Sequence, residues 1–321
     1  MYKYFIGIMF CVLCLLGCGR NTDSTVKIGL STRPGSSLIQ FAQQEGIFRK
    51  EGLRVQLFRR GGTAETKDDF IKGKVDAAVL SIVEIIELID KGYEFVIPLV
   101  LDYSNGSDGI VVKEKCRNLK GLKGHVAGIQ YGTVSQYLFL RALDSRDVKV
   151  KDIAVRNIYA DEAVELFVGG SVDAFAAWEP YVTYAVNEGA GRIVFTTRDL
   201  PEKIVDALIV RKEYAQKNPR NIRRIIDAWY ETVEYLRDNY SKTVVAISDA
   251  EHVSPETVKN VLSSLRIGDQ KVNSEVFGDG KSFGQMFIFV KEIAGHMKRY
   301  GMIKNVPDIK KYIYPDLFYD R

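Results

Sequence analysis

The chain has 321 residues and a mass of 36.2 kDa, which is enough for two domains of ordinary size and excludes a single small module. Hydrophobic residues make up 46% of it and charged residues 27%, with only 8 prolines, so that neither a disordered chain nor a collagen-like fibre fits. The 45 basic and 41 acidic residues leave a formal net charge of +4, which is too small to indicate nucleic acid as the main partner.

The N-terminal residues have the pattern of a bacterial lipoprotein signal. Lys3 is the only charge before an apolar run over residues 4–16, which is shorter than the ~20 residues that a membrane-spanning helix needs. The run ends in Leu-Leu-Gly-Cys, which resembles the lipobox, where the cysteine is lipidated and becomes the new N-terminus. We therefore expect residues 1–17 to be a signal peptide, Cys18 to carry a covalent lipid, and residues 18–25 to form a polar tether. An uncleaved anchor helix is the alternative.

The remaining cysteines fit a chain without disulfides. Cleavage before Cys18 removes Cys11 and Cys14, so that Cys116 is left as the one unlipidated cysteine. Stability outside the cytoplasm would then depend on the core, which a chain of this length can supply. We interpret Cys116 as a bystander, with a reactive thiolate as the alternative.

After the tether, short apolar runs alternate with segments of helix length. The runs cover residues 26–30, 53–57, 77–80, 125–129, 174–177 and 192–195. This βαβ order predicts an α/β fold with sheets rich in parallel strands.

One segment of the chain recurs. Residues 70–77 and 167–174 share a Phe, a Gly, a Val, an Asp and an Ala at one constant offset. In both, the Gly permits a left-handed helix end, the Asp marks a turn, and small residues begin a buried strand. We infer two lobes with a common plan, whereas chance similarity of a frequent helix–strand junction is the alternative.

Two apolar runs each contain a carboxylate. Asp102 ends residues 95–102, and Asp206 lies within residues 204–210. An ionised carboxylate in such a run is costly unless it is paired, so each faces a ligand cleft or a fixed partner such as an arginine. We predict that these runs cross between the lobes. Lobe 1 would comprise residues 26–105 and 206–321, and lobe 2 residues 106–205.

A resemblance to a known protein family extends over nearly the whole chain after the signal peptide. The matching stretches are residues 45–53, 75–78, 101–112, 119–124, 172–174, 178–181 and 204–208. In this order, behind a lipobox, they resemble the type II periplasmic substrate-binding proteins of the sulfonate, taurine and nitrate group, also called NMT1/THI5-like.

The resemblance implies a fold and a set of partners. Two α/β lobes would close on a small molecule and deliver it to the permease subunits of an ABC importer. The chain would be a monomer on the extracytoplasmic side of the cell envelope, attached to the membrane by the lipid on Cys18 and needing no other cofactor. A binding protein that senses its ligand and signals to a membrane partner is the alternative.

Candidate ligand residues follow the strands, because ligands of open α/β sheets bind at the carboxyl ends of strands. Ser31, Thr32 and Arg33 follow the first run, and Ser81 follows the third. Relatives often have an aromatic residue near the position of Arg33, so this arginine is a departure and adds an anion-binding group.

The turn of residues 130–135 leads from a strand into a helix. It contains Gln130, Gly132, Thr133 and Ser135, and the free backbone amides of such a helix start favour an anion. Thr133 as a simple helix cap is the alternative from the residues alone. The family resemblance assigns this turn to the ligand.

Trp178 and Glu179 complete the predicted site. The indole could stack on a ligand and the carboxylate lies at a helix start, although a core tryptophan and a dipole-favoured glutamate are the alternatives. With Asp102 and Asp206 as further carboxylates, the site predicts a zwitterion such as an aminosulfonate. An inorganic anion or a pyrimidine precursor of thiamine is the alternative ligand.

Enzyme motifs are missing from the sequence. The three histidines, His125, His252 and His296, have no metalloprotease spacing, and no Gly-x-Ser-x-Gly motif occurs. We therefore expect neither a catalytic site nor a metal site.

Overall fold

The computed structural model describes residues 25–189, 191–201, 203–278 and 284–313. The predicted signal peptide and Cys18 lie outside these residues. Within the described ranges, no helix has both the length and the apolar character needed to cross a membrane.

Strands and helices alternate through the first two thirds of the chain, and helices dominate the last third. The strands are β1 (Val26–Leu30), β2 (Val55–Arg59), β3 (Ala77–Ser81), β4 (Phe95–Ser104), β5 (Asp108–Lys113), β6 (Val126–Ile129), β7 (Ala154–Asn157), β8 (Ala174–Trp178), β9 (Gly191–Thr196), β10 (Val205–Arg211) and β11 (Leu265–Ile267). The helices are α1 (Pro34–Gln44), α2 (Ile47–Lys50), α3 (Thr63–Ile71), α4 (Ile82–Asp90), α5 (Val134–Asp144), α6 (Ala160–Val168), α7 (Tyr181–Gly189), α8 (Lys212–Lys217), α9 (Pro219–Asp238), α10 (Tyr240–Glu251), α11 (Pro255–Ser263), α12 (Gln270–Phe277) and α13 (Met286–Arg299).

The strands form two sheets, each of which defines a lobe. The sheet of lobe 1 has the order β11-β4-β10-β3-β1-β2, and that of lobe 2 has the order β7-β6-β8-β5-β9. Helices cover both faces of each sheet. In β3, for example, Ala78 and Leu80 belong to one core cluster and Ala77 and Val79 to another, as the two-residue period of a strand requires.

Each sheet is mixed, whereas the sequence predicted sheets rich in parallel strands. The pairs β1–β2, β1–β3, β6–β7 and β6–β8 are parallel, and the pairs made by β4, β5 and β10 are antiparallel. The reason is topological. A chain that returns from the other lobe enters at the edge where the parallel strands end, so β5 and β10 run against their neighbours.

The recurring segment has the same structure in both lobes. Gly73 and Gly170 follow the ends of α3 and α6 with φ of +71° and +80°. Asp76 then accepts a hydrogen bond from the backbone N–H of Lys27 at 2.9 Å, and Asp173 accepts one from Val126 at 3.0 Å. In each lobe this bond ties the start of one parallel strand to its neighbour.

The runs of residues 95–102 and 204–210, predicted to cross between the lobes, instead coincide with β4 and β10 in the sheet of lobe 1. The two crossovers are residues 105–107, between β4 and β5, and the segment between residue 199 and β10. The buried hydroxyl of Thr197 joins them: its Oγ1 lies 2.7 Å from Ser104 Oγ and accepts the N–H of Gly106 at 2.7 Å. Gly106 has a φ of +107°, which favours glycine at this turn. The crossovers therefore leave the lobes at one shared, hydrogen-bonded point.

Candidate ligand cleft

Arg33 links the two lobes. It follows β1 and precedes α1, and only 2% of it is exposed. Its Nε donates to Oδ1 and Oδ2 of Asp206 in lobe 1 at 2.9 and 2.6 Å. Its two terminal nitrogens donate to Oδ1 and Oδ2 of Asp108 in lobe 2 at 2.9 and 3.3 Å. One guanidinium group thus satisfies a carboxylate from each lobe.

The charge of this group is fixed by its partners. Burial acts to lower the pKa of Arg33, but the charges of Asp108 and Asp206 raise it well above its usual value. The guanidinium carbon also lies 5.5 Å from the centre of the Trp178 ring, which is within the range of a cation–π contact. Trp178 therefore contributes its face to this arginine.

Asp102 lies beside this network without a hydrogen bond of its own. It is opposite Asp206 in the register of β4 and β10, is 1% exposed, and neither carboxyl oxygen has a partner among the described residues. A Cβ atom on Gly35 would lie 1.9 Å from Asp102 Oδ2, so only glycine at the start of α1 allows this approach. Burial, and then the charge of Asp206, raises the pKa of Asp102 well above its usual value. Burial therefore disfavours the charged form of Asp102.

Ser81 has a local structural role in this arrangement. It caps α4 by accepting the N–H of Val83 at 3.3 Å, while Glu84 accepts the N–H of Ser81 at 3.1 Å and also contacts its hydroxyl. Burial raises the pKa of Glu84. Ser81, predicted to face a ligand, is therefore engaged in a capping box.

One cavity lies between the lobes on the side of Gln130, and we call it the Gln130 cavity. Its volume is about 350 Å³. Lobe 1 contributes Gly61, Gly62 and Glu65, and lobe 2 contributes Gln130, Tyr159, Ala160, Asp161, Glu162 and Trp178.

Two residues that line the Gln130 cavity have buried hydrogen-bond donors. Gln130 Nε2 and Trp178 Nε1 are buried and have no partner in the described part of the chain. Two helices, α3 and α6, begin at this cavity, and neither has a side-chain cap. Unpaired amide hydrogens and the helix dipoles make such a place favourable for an anion.

The rim of the same cavity is acidic. Glu65 lies in the first turn of α3, and Asp161 and Glu162 lie in the first turn of α6. Glu65 accepts the N–H of Gly61 at 3.0 Å, and Asp161 accepts that of Glu162 at 2.9 Å, so each of these carboxylates keeps free acceptor capacity. The residues that line the cavity therefore combine two buried donors, two helix starts and three exposed carboxylates.

The turn before α5 is held by its own side chains. Thr133 occupies the cap position, but its hydroxyl donates to Gln130 O at 2.8 Å and makes no bond to the helix amides. Gly132 has a φ of +70° and donates its N–H to Gln136 Oε1 at 2.8 Å. Ser135 is buried, and its hydroxyl has no partner within the described ranges. Of these predicted residues, Gln130 is the one that lines the cavity.

A second cavity, which we call the Tyr181 cavity, lies between α1, α7 and the helices α10 and α11. It has a volume of about 210 Å³ and is lined by Thr32, Pro34, Ser37, Glu179, Pro180, Tyr181, Ile247, Glu251, Val253, Thr257, Val258, Val261 and Leu262.

The predicted site residues near this second cavity have partners within the protein. Glu179 accepts the N–H and the hydroxyl of Thr183 at 3.1 and 2.9 Å, and burial raises its pKa. Thr32 donates its hydroxyl to Gly61 O at 3.1 Å, and Ser31 Oγ accepts the N–H of Arg33 at 3.3 Å.

The structure thus separates the predicted residues into groups. Arg33, Asp102, Asp206 and Trp178 lie together, and Trp178 also shares the Gln130 cavity with Gln130. Sequence reasoning missed Asp108, although an acidic residue directly before an apolar strand was a usable signal. Among the described residues, no group of three or more His, Cys, Asp or Glu could hold a metal ion.

The chain resembles known proteins in sequence and in fold. A model of the NMT1-like family matches residues 19–248. The chain is 22% identical over 289 residues to a protein of Bacillus subtilis (strain 168) named as an aliphatic sulfonates-binding protein, with 86% of each chain covered.

Solved structures show the same fold at low sequence identity. The alkanesulfonate-binding protein SsuA from Xanthomonas axonopodis pv. citri, bound to MOPS, has a TM-score of 0.76 at 14% identity and covers 90% of this chain and 98% of its own. The nitrate-binding protein NrtA from Synechocystis PCC 6803 has a TM-score of 0.73 at 18% identity, covering 92% and 88%. These matches confirm the predicted two-lobe α/β fold of periplasmic binding proteins. Since the family model spans more than half of the sequence, the chain belongs to the NMT1-like family.

Proposed function

We propose that this chain is a solute-binding protein that captures a small amine-bearing acid, such as an aminosulfonate, and delivers it to an ABC importer. The observation that carries the proposal is the Gln130 cavity. Its two uncapped helix starts, next to two lining residues with buried, unpartnered donors, suit an acidic group, and its exposed Glu65, Asp161 and Glu162 suit an amine. The names of the relatives, which bind aliphatic sulfonates or nitrate, support an acidic ligand.

A thermal-shift screen tests the ligand class. The chain without residues 1–17 is heated with aminoalkanesulfonates, alkanesulfonates without an amine, simple amines, pyrimidines and nitrate. A ligand at 100 times its dissociation constant adds ~2.7 kcal/mol to the free energy of unfolding, so a clear rise in Tm is expected for the aminosulfonates. An equal response to sulfonates without an amine would reduce the proposal to an anion binder, and no response from any class would contradict it.

A variant pair localises the binding. Gln130→Ala removes one buried donor. It should raise the dissociation constant for the aminosulfonate about tenfold or more, because a hydrogen bond to a charged group contributes ~1.5–3 kcal/mol. The rise in Tm at a given ligand concentration should therefore be smaller. Gln44→Ala, an exposed position on α1, is the matched control and should leave the response unchanged.

A further measurement tests for catalysis. Recovery of the ligand unaltered after incubation is the expected result for a binding protein without catalytic activity.

An uptake measurement distinguishes delivery of the solute to an importer from sensing of the solute. If the chain serves an importer, deletion of its gene abolishes uptake of the radiolabelled ligand identified in the screen. Normal uptake with a lost transcriptional or behavioural response would instead assign it a sensory role.

We further propose that Cys18 is the lipidated N-terminus and that it holds the protein at the extracytoplasmic face of the membrane. The support is the sequence of residues 1–18. Cys18→Ser should yield an unprocessed or freely soluble protein. Membrane association that persists, with residues 1–17 still attached, would indicate an anchor helix instead.

A further inference from the structure

The contacts of Arg33 are those of a ligand in a binding site. Its guanidinium donates four hydrogen bonds to two carboxylates, Asp206 and Asp108, and all three groups are 2% exposed or less. The planar fork of a guanidinium matches a carboxylate in this way, and a compact ammonium group does not.

The surroundings add one further feature of a cation site. The Trp178 ring offers its face at 5.5 Å from the guanidinium carbon. Asp102, directly opposite Asp206 in the sheet, makes no hydrogen bond to Arg33 and is no part of this set of contacts. Carboxylates and an aromatic face around a planar cation are sufficient to recognise it without any help from the backbone.

The two carboxylates that bind Arg33 come from different lobes. Asp206 belongs to β10 of lobe 1, and Asp108 begins β5 of lobe 2. A cation here is therefore enclosed by both lobes, which is how a ligand of a two-lobed protein is held.

We propose that the protein contains a guanidinium-binding slot, formed by Asp206, Asp108 and Trp178, and that Arg33 is its built-in occupant. Arg33 then determines specificity, because it keeps the basic group of any solute away from the two innermost carboxylates. This second step depends on the proposed solute-binding function: the amine of the solute is left with the acidic rim of the Gln130 cavity.

Chemical rescue tests the slot without reference to the natural solute. Arg33→Ala removes Cγ, Cδ and the guanidinium group, and an ethylguanidinium ion has the same heavy atoms as this missing part. It also leaves buried carboxylates without their cation, and Tm should fall by at least about 5 °C. Ethylguanidinium chloride at about 10 mM should then recover more than half of the lost Tm, whereas NaCl at the same ionic strength should not. The wild-type protein should show no rise, because its slot is filled.

Two controls define the site. Arg237→Ala removes an exposed arginine that pairs with Asp269, and ethylguanidinium should have no effect on it. Arg33→Ala combined with Asp108→Asn lacks the carboxylate of lobe 2 and should lose most of the rescue. If Arg33→Ala is recovered only as unfolded chain, the refolding yield with and without ethylguanidinium replaces Tm as the readout.

The outcomes separate the slot from the proposed function. Rescue that is absent in Arg33→Ala, or equal in Arg237→Ala, overturns the slot. Neither result bears on the aminosulfonate screen, which is carried out on the unaltered chain. A rescued Arg33→Ala variant that also gains a Tm response to free amines would support the role of Arg33 in specificity, and an unchanged ligand preference would contradict that role.

Discussion

Four of the buried carboxylates offset their desolvation in different ways. Asp206 is neutralised by Arg33, and Glu84 is held in the capping box of α4. Asp102 has no hydrogen-bond partner among the described residues, and its raised pKa favours the uncharged acid. Asp173 takes a fourth route, because hydrogen bonds stabilise its charged form. The charge of an aspartate in this fold is therefore set by its immediate partners and not by its depth alone.

The charge of Asp173 makes the stability of the protein depend on pH. Burial acts to raise its pKa, but hydrogen bonds from Lys115, Val126 and His125 lower it to about 2. A lowered pKa stabilises the fold above the usual value of 3.8, and this stabilisation is lost as the pH falls towards 2. Asp173→Asn should therefore lower the free energy of unfolding by about 2 kcal/mol at neutral pH.

Urea denaturation of the wild type and of Asp173→Asn checks this expectation. The difference between them should be constant from about pH 7 to about pH 5 and should fall to about half near pH 3. A difference that stays the same down to pH 3 would mean that the hydrogen bonds of Asp173, and not its charge, are what stabilises the fold.

At this scale the sequence predicts that a residue needs a partner but not which partner it has. The cost of a charge inside an apolar run gives Asp102 and Asp206 either a ligand or an arginine as partner. Arg33 lies far from Asp206 in the chain, and no local pattern connects them; the antiparallel pairing of β10 with β3 and β4 brings them together. The glycine at position 35 could not be predicted either, because a larger residue is excluded there only by the position of Asp102.

Among elements, the strands were predictable and their directions only partly so. Apolar alternation locates β1, and a continuous apolar run locates β10, because each pattern reflects which faces of the strand are buried. Direction depends on where the chain enters a sheet, and periodicity carries no information on that. The recurring junction was more informative: Asp76 and Asp173 occupy equivalent turns and accept equivalent backbone hydrogen bonds.

The shared point of the two crossovers depends on one hydroxyl group. Thr197 Oγ1 contacts Ser104 Oγ and accepts the N–H of Gly106, and the site is fully buried. Thr197→Val keeps the shape, leaves the N–H of Gly106 unpaired and leaves Ser104 Oγ with only the N–H of Asp108 as a partner, which should cost about 1–3 kcal/mol in the free energy of unfolding. Thermal melting of Thr197→Val and of Thr196→Val gives the comparison. The hydroxyl of Thr196 bonds only within its own turn and is partly exposed, so its loss should matter less. Equal losses in the two variants would contradict a special role for Thr197.

On the scale of the whole molecule, the polar contacts between the lobes include two buried or partly buried sites. One is the Arg33 bridge inside the cleft. The other is the packing of α5 in lobe 2 against α13 in lobe 1, where the rings of Tyr137 and His296 lie 5.3 Å apart. There Asp144 of α5 accepts a hydrogen bond from His296 Nε2 at 3.0 Å and one from the hydroxyl of Tyr300. These contacts stabilise the arrangement of the lobes seen here.

Asp144→Ala should therefore shift the protein towards open arrangements. The variant removes the acceptor for His296 and Tyr300 and leaves the Arg33 bridge in place. A loss of about 1 kcal/mol of contact between the lobes changes the ratio of open to closed molecules about fivefold. Small-angle scattering of the protein alone should then give a larger radius of gyration for Asp144→Ala than for the wild type. Asp152→Ala is the control, because Asp152 pairs with Lys123 inside lobe 2 and touches no residue of lobe 1 through that pair. If Asp144→Ala leaves the radius unchanged, or if Asp152→Ala raises it as much, the contact between α5 and α13 does not hold the lobes together, and closure depends on Arg33 and the solute.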